Sequence, residues 1–263
     1  MKVKLGFVIL AIMLPSLAGV SSAEQLVRAG YPPFGAPLSS LPGATLDNYR
    51  TLDPGGTLAE GALIDLTNAI AKDARLQVRF VMVPGAEQVA ALNSNKINLA
   101  LMFSQIDSEI DASFTEPLYQ DSEALVIKKT DKKQYFTWED LRGEVIVACG
   151  PVANAAQRSG LFKEVRVVPI CGAVPQAVRD PEIKAGIKGS LIDTLYYQQH
   201  GAFEPDVQVS MSYQPKFVVQ RRIATRKGDA LLSTVNTSLE KLRNDGTLKM
   251  IFAKYGIEGT LVK

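Results

Sequence analysis

A nearly continuous apolar run at residues 97–103 constrains the fold of this chain more than any other feature of its sequence. Such a run is typical of a parallel β-strand that is buried on both faces. β-rich runs at residues 26–30 and 77–83 precede it, and between them Leu63 and Ile70 mark the apolar face of a predicted helix. Strands that alternate with helices predict an α/β fold, in which helices cover both faces of parallel or mixed sheets.

The same alternation resumes after residue 133 and continues almost to the end of the chain. Helical spacing before Leu242 and Tyr255 predicts two closing helices. The intervening β-rich runs predict strands at residues 144–149, 165–170, 190–192 and 207–211, and helical spacing predicts helices at residues 152–159, 174–185 and 194–199.

The N-terminal segment has the pattern of a cleavable signal peptide. Lys2 and Lys4 precede an apolar run from residue 5 to about residue 20, and small residues follow up to Ala23. A transmembrane anchor is the alternative, but the run is short for the ~20 apolar residues of a span and no basic flank follows it. Cleavage after Ala23 would leave 240 of the 263 residues, residues 24–263, as an exported protein. We therefore expect a periplasmic location.

The two cysteines, Cys149 and Cys171, both lie beyond this segment. Each precedes a glycine at the end of a β-rich run, so the two could be neighbours in one sheet. An even number of cysteines in an exported chain permits a disulfide, and two buried free thiols are the alternative.

Charge and motif content exclude several classes of function. Without Lys2 and Lys4 the 29 basic residues fall to 27, which equals the number of acidic residues, so neither nucleic acid nor an anionic membrane is an expected partner. His200 is the single histidine, and neither G-x-S-x-G nor G-x-x-x-x-G-K occurs. The sequence therefore predicts a protein that is not an enzyme and uses no metal or cofactor.

Several segments, in order along the chain, resemble motifs of one protein family. They are residues 30–34 (G-Y-P-P-F), 61–71 (against G-F-D-x-D-L-x-x-A-I-A), 113–119 (S-F-T-E-P-L-Y, against F-S-x-P-Y), 138–143 (against x-E-D-L-K-G), 224–229 (A-T-R-K-G-D) and 242–247 (against L-x-x-D-G-T). The chain resembles the type II periplasmic solute-binding proteins that serve amino-acid ABC transporters, also called solute-binding protein family 3.

This resemblance implies a two-lobed architecture with a two-strand hinge. Residues 24–126 with 219–263 would form one lobe, and residues 127–218 the other. A small solute would bind between the lobes and be enclosed when they close. The expected protein partner is an ABC permease in the inner membrane, and the binding protein itself is expected to be a monomer.

The resemblance also shows where this chain departs from its family. The arginine that holds the ligand's carboxylate would fall at Ser108 or Ile110, and residues 81–141 contain no arginine. Leu63 stands where the family's G-F-D motif has its aspartate. The sequence therefore predicts an atypical ligand site.

Candidate ligand-binding residues follow from the same comparison. Asp193 matches the carboxylate that pairs with the ligand's ammonium, although it could simply cap the helix that starts near Thr194. Tyr31 and Phe34 would form apolar walls, with core packing as the alternative. The remaining candidates are Phe103 and Ser104 at the end of a strand, and Val152 and Asn154 at the start of a helix with free backbone N–H groups.

The function that these features predict is the capture of a small polar solute for an ABC importer, with an amine on the solute as the group that Asp193 would bind. Two alternatives remain open at this point. One is a sensor or accessory subunit that binds a periplasmic protein, and the other is a lyase or dehydratase on the same scaffold.

Overall fold

A computed structural model describes residues 25–45, 47–104, 110–201 and 203–262. The predicted signal peptide therefore lies outside the described residues. Within the described ranges, no helix is both long enough and apolar enough to cross a membrane.

Strands and helices alternate along the described chain, as the sequence predicts. The strands are β1 Leu26–Tyr31, β2 Phe34–Gly35, β3 Ser39–Ser40, β4 Gln77–Met82, β5 Leu99–Ser104, β6 Ser113–Phe114, β7 Tyr119–Ser122, β8 Ala124–Lys128, β9 Val145–Cys149, β10 Glu164–Val168, β11 Ala185–Lys188, β12 Val207–Val209 and β13 Val218–Thr225. The helices are α1 Ala62–Ala74, α2 Gln88–Asn93, α3 Gly150–Ser159, α4 Val174–Val178, α5 Leu191–Gln199, α6 Leu231–Asn244 and α7 Thr247–Lys254.

The first sheet has the strand order β4-β1-β5-β13-β6, and β7 also pairs with β13. β1 runs parallel to β4 and β5, whereas β13 is antiparallel to β5. One core contains the buried Leu66 of α1 with Leu239 of α6 and Phe252 of α7. A smaller core contains Leu92 of α2 with Ala100 of β5. This sheet and its helices are called the first lobe below.

The second sheet has the strand order β10-β9-β11-β8-β12. Its first three strands are parallel, and β8 runs antiparallel to β11 and β12. Trp138 and Val152 belong to one core, and Val174 and Val178 belong to the other. The second sheet with α3, α4 and α5 is called the second lobe below.

The chain passes between the two sheets at two neighbouring points. β7 belongs to the first sheet and β8 to the second, so the first crossing is at Glu123. The return crossing precedes β13, and the backbone N–H of Glu123 donates to the carbonyl of Phe217, 3.4 Å away. Residues 124–126 thus pair within the second sheet and Val218 within the first. The division of the chain at residues 126 and 218 remains a prediction.

Two secondary-structure predictions in the second lobe are wrong. The helix predicted over residues 174–185 ends at Val178, and the strand predicted at residues 190–192 lies earlier, as β11. For the missed strand the reason is Gly186, where a Cβ atom would lie 2.4 Å from the Val174 side chain. This close approach of strand to helix requires the small residue that made the segment look unlike a strand.

Candidate functional site

The loop after β1 meets the second lobe where the two sheets adjoin. The backbone N–H of Ala36 donates to the Tyr197 hydroxyl of α5 over 3.4 Å. Phe34 lies against Gly172, since a Cβ atom there would be 3.4 Å from the Phe34 side chain. These contacts place Phe34 at the junction of the lobes, where the sequence predicts a wall of the ligand site.

Asp193 occupies the first turn of α5 and is buried. Its carboxylate oxygen Oδ1 lies 3.2 Å from the Nζ of Lys188, the last residue of β11, and also accepts a hydrogen bond of 2.9 Å from the Thr194 hydroxyl. Burial raises the pKa of the Asp193 carboxyl, and the Lys188 charge opposes that effect. The sequence motifs do not indicate Lys188 as a partner of Asp193, although the lysine five residues before Asp193 is visible in the sequence.

Asp193 does not cap α5 with its side chain. The N-cap is Ser190, whose hydroxyl accepts from the backbone N–H of Asp193 at 3.3 Å. The capping alternative for Asp193 is therefore wrong. Its predicted role in ligand binding remains a prediction.

A second buried ion pair lies in the first lobe and forms hydrogen bonds with the second. The Asp121 carboxylate of β7 lies 3.1 Å from the Arg221 guanidinium of β13. The same carboxylate accepts from the backbone N–H groups of Leu191 and Ile192 at 3.1 and 3.3 Å, at the N-terminus of α5. Arg221 also donates to the Gly189 carbonyl. The junction thus contains a buried arginine. It comes from β13, far along the chain from residues 81–141, where the family's arginine is missing.

Tyr119 contributes a buried hydroxyl near this pair. It lies opposite Arg221 in the ladder of β7 and β13, and its hydroxyl has no hydrogen-bond partner among the described residues. Burial raises the pKa of this phenol, and the charges of Arg221, Asp121 and Asp193 also act on it. An unsatisfied buried donor is costly, so a hydrogen-bond acceptor that reached this hydroxyl would be stabilising.

Tyr31 and Phe34 have different surroundings. Tyr31 is fully buried in the first core, where its ring meets Phe80 edge-on with centroids 6.3 Å apart. Burial raises the pKa of Tyr31 to about 12. Phe34 is only partly buried and packs against Tyr49 as well as Gly172. The structure therefore gives Tyr31 a core role, and its role in ligand binding remains a prediction.

The two candidate residues at the start of α3 also have different surroundings. Val152 is buried in a core of the second lobe, and its side chain lies 3.7 Å from where a Cβ atom on Gly189 would be. Asn154 is exposed. For Phe103 and Ser104 the structure describes the backbone, which pairs with Arg222 and Arg221 of β13. Their side chains lie outside what it describes.

The disulfide between Cys149 and Cys171 is present, with Cα atoms 5.2 Å apart. Cys149 ends β9, as predicted, whereas Cys171 lies beyond β10 at the start of a short 3-10 helix. The next residue is Gly172, which contacts Phe34. The disulfide therefore ties the start of α3 to the segment of the second lobe that meets the first.

Comparison with known protein families identifies the scaffold. A family model described as bacterial extracellular solute-binding proteins, family 3, matches residues 45–258. The chain belongs to this family. The resemblance drawn from the sequence motifs is thereby confirmed.

Relatives of this family 3 protein agree in fold. The probable histidine-binding protein of Neisseria gonorrhoeae is 25% identical over 213 residues, which are 79% of this chain and 78% of the relative. An ABC uptake transporter substrate-binding protein from Streptococcus pneumoniae, solved with bound histidine, has a TM-score of 0.73 at 17% identity and covers 90% of this chain and 95% of its own. A histidine kinase sensor domain similar to periplasmic binding proteins has a TM-score of 0.75 at 18% identity, over 89% and 96%. The two-lobed type II fold is thus confirmed.

Proposed function

We propose that this family 3 protein is the periplasmic solute-binding component of an ABC importer. The observation that carries the proposal is the buried polar cluster between two separately covered sheets, in a chain whose family model describes solute-binding proteins. Two neighbouring crossings between the sheets provide a hinge about which the lobes can open and close. The solute binds between the lobes, and the closed form is presented to a permease in the inner membrane.

Export precedes this role. The N-terminal segment directs the chain to the periplasm and is removed after Ala23, and the cysteines then pair in that oxidising compartment. The protein acts as a monomer and performs no chemistry on its solute. The naming of its relative from Neisseria gonorrhoeae as a binding protein supports the absence of catalysis.

Phe34 closes the site from the first lobe by packing on Gly172. A solute held between the lobes needs this contact, because closure must remove it from water before buried polar groups can bind it strongly. Phe136 offers a matched control, since it is an aromatic residue of the second lobe that is 45% exposed.

The test is a thermal-shift screen of the exported protein against amino acids, amines, dicarboxylates and aromatic acids. A solute at a hundred times its Kd adds about 2.7 kcal/mol of stability, which is readily measured. We expect Phe34→Ala to weaken binding of the solute at least tenfold and Phe136→Ala to leave it unchanged. A screen without any stabilising compound would contradict the proposal and favour a protein partner, as in the sensor or accessory role.

A further inference from the structure

The ion pair of Lys188 and Asp193 is enclosed by the protein. The side chains of Lys188 and Asp193 are 1% and 6% exposed, and their charged atoms lie 3.2 Å apart. Gly189 and Ser190 form the whole connection between β11, which ends in Lys188, and α5. Because the strand and the capped helix are both fixed, the two charges are held together without help from a ligand.

The surroundings of the Lys188 ammonium are those that recognise a free ammonium ion. One side is the Asp193 carboxylate, and Nζ also lies 5.6 Å from the centre of the Tyr197 ring. A carboxylate together with an aromatic face is a common binding arrangement for cationic amines. Here the cationic amine is that of Lys188, a side chain of the protein itself.

The second buried carboxylate at this junction is likewise compensated. Asp121 pairs with Arg221 and accepts from the N-terminus of α5. Asp193 and Asp121 therefore each have a cationic partner within the chain. An incoming amine would have to displace Lys188 from Asp193, and the displaced ammonium would remain buried without its counter-ion, which is strongly unfavourable.

We propose that Lys188 takes the place of the solute's ammonium group, so that the solute of this site is a neutral or acidic molecule without a cationic amine. This inference rests on the proposed function, since it names the class of solute for the same site. It reverses the sequence-based expectation that Asp193 faces an amine of the solute. The buried Tyr119 hydroxyl, near Arg221, is a donor suited to an oxygen atom of such a solute.

The test compares matched compounds and matched variants. The compounds are histidine, glutamine and arginine, each beside the acid that lacks its α-amino group, together with ethylammonium chloride against potassium chloride at equal ionic strength. The variants are Lys188→Met, which removes the ammonium but keeps an unbranched side chain, and Lys188→Met with Asp193→Asn, which removes both charges. Binding is read from thermal shifts and isothermal titration.

For the unaltered protein we expect each acid without an α-amino group to bind at least tenfold more tightly than its amino acid. In Lys188→Met the preference should reverse, and ethylammonium should stabilise this variant but neither the unaltered protein nor the double variant. Equal or tighter binding of the amino acids by the unaltered protein would overturn the inference. So would a gain of amine binding that the double variant shares, because Asp193 would then not be the anchor.

Failure of the proposed function gives a different result. If no compound stabilises the unaltered protein, the solute-binding role is contradicted, and the ethylammonium experiment still decides the role of Lys188. If ethylammonium stabilises Lys188→Met but neither the unaltered protein nor the double variant, the inference is supported. If ethylammonium does not stabilise Lys188→Met, the inference is overturned. Should Lys188→Met not fold, Lys188→Gln replaces it, because its amide can still donate to Asp193 and so favour folding. Since the amide carries no charge, ethylammonium should still stabilise this variant, to a smaller extent. Should neither variant fold, the decision comes from the affinities of the unaltered protein for each amino acid and for the acid that lacks its α-amino group. Tighter or equal binding of the amino acids would count against the inference.

Discussion

The Asp121 carboxylate lies 3.1 Å from the Arg221 guanidinium, and the two side chains are 0% and 8% exposed. Both residues belong to the first sheet, yet each also bonds to the second lobe, through the N–H groups that begin α5 and through the Gly189 carbonyl. The pair therefore stabilises the position of α5, and with it the position of Asp193, relative to the first lobe.

Removal of one member of this pair should destabilise the protein strongly. Asp121→Asn removes the carboxylate charge that lies 3.1 Å from the buried Arg221 guanidinium, and we expect a loss of about 3–5 kcal/mol in the free energy of unfolding. The double variant Asp121→Asn with Arg221→Met should lose less than the sum of the two single variants. Urea unfolding of all four proteins measures the coupling energy, and strictly additive losses would show that the pair does not act as a unit.

The disulfide should contribute measurable stability. Cys149 and Cys171 lie 22 positions apart, and closing a loop of that size is expected to stabilise the folded protein by about 3 kcal/mol. We expect dithiothreitol to shift the urea midpoint of the unaltered protein downward. The variant with both cysteines changed to alanine should unfold at that lower midpoint with or without the reductant. An unaltered protein that is insensitive to full reduction would contradict this account.

The buried carboxyl of Glu123 should make the stability of the protein depend on pH. Its carboxylate accepts from the indole of Trp138 at 3.1 Å and from the backbone N–H of Lys216 at 2.8 Å, and the Tyr213 hydroxyl also donates to it. Its second oxygen is buried without a partner among the described residues. Burial raises the pKa of this carboxyl above its ordinary value of 4.5.

A raised pKa in the folded state means that the folded protein binds this proton more tightly than the unfolded chain does. The resulting stability is present below the unfolded pKa and is lost as the pH rises through the folded pKa. The free energy of unfolding of the unaltered protein, minus that of Glu123→Gln, should therefore fall as the pH rises from 4 towards 8, by about 1.4 kcal/mol for each pH unit by which the two pKa values differ. A flat difference would show that the pKa of this carboxyl is unshifted, and a difference that rises with pH would show that it is lowered; either result contradicts this account.

Gly186 should not tolerate a side chain. A Cβ atom at this position would lie 2.4 Å from the Val174 side chain and 2.7 Å from that of Val178. We expect Gly186→Ala to cost about 1–3 kcal/mol, because the strand and helix must move apart. Gly85→Ala is the control, since no atom lies within 4 Å of its added Cβ, and its midpoint in urea should stay close to that of the unaltered protein.

The sequence by itself determined the α/β alternation, because each strand and helix leaves a local pattern of apolar residues. It also indicated the cysteine pair and, through short motifs, the family. Local patterns were weaker where packing required a small residue, which is why β11 with Gly186 was missed.

Only the tertiary structure decided which charges meet. Asp121 and Arg221 are 100 positions apart, and their contact depends on β13 returning to the first sheet beside β7. Lys188 and Asp193 are close in sequence, but a pattern does not show that both are buried and face each other. Burial and pairing of charges arise from how the sheets are assembled, which a local pattern of residues does not record.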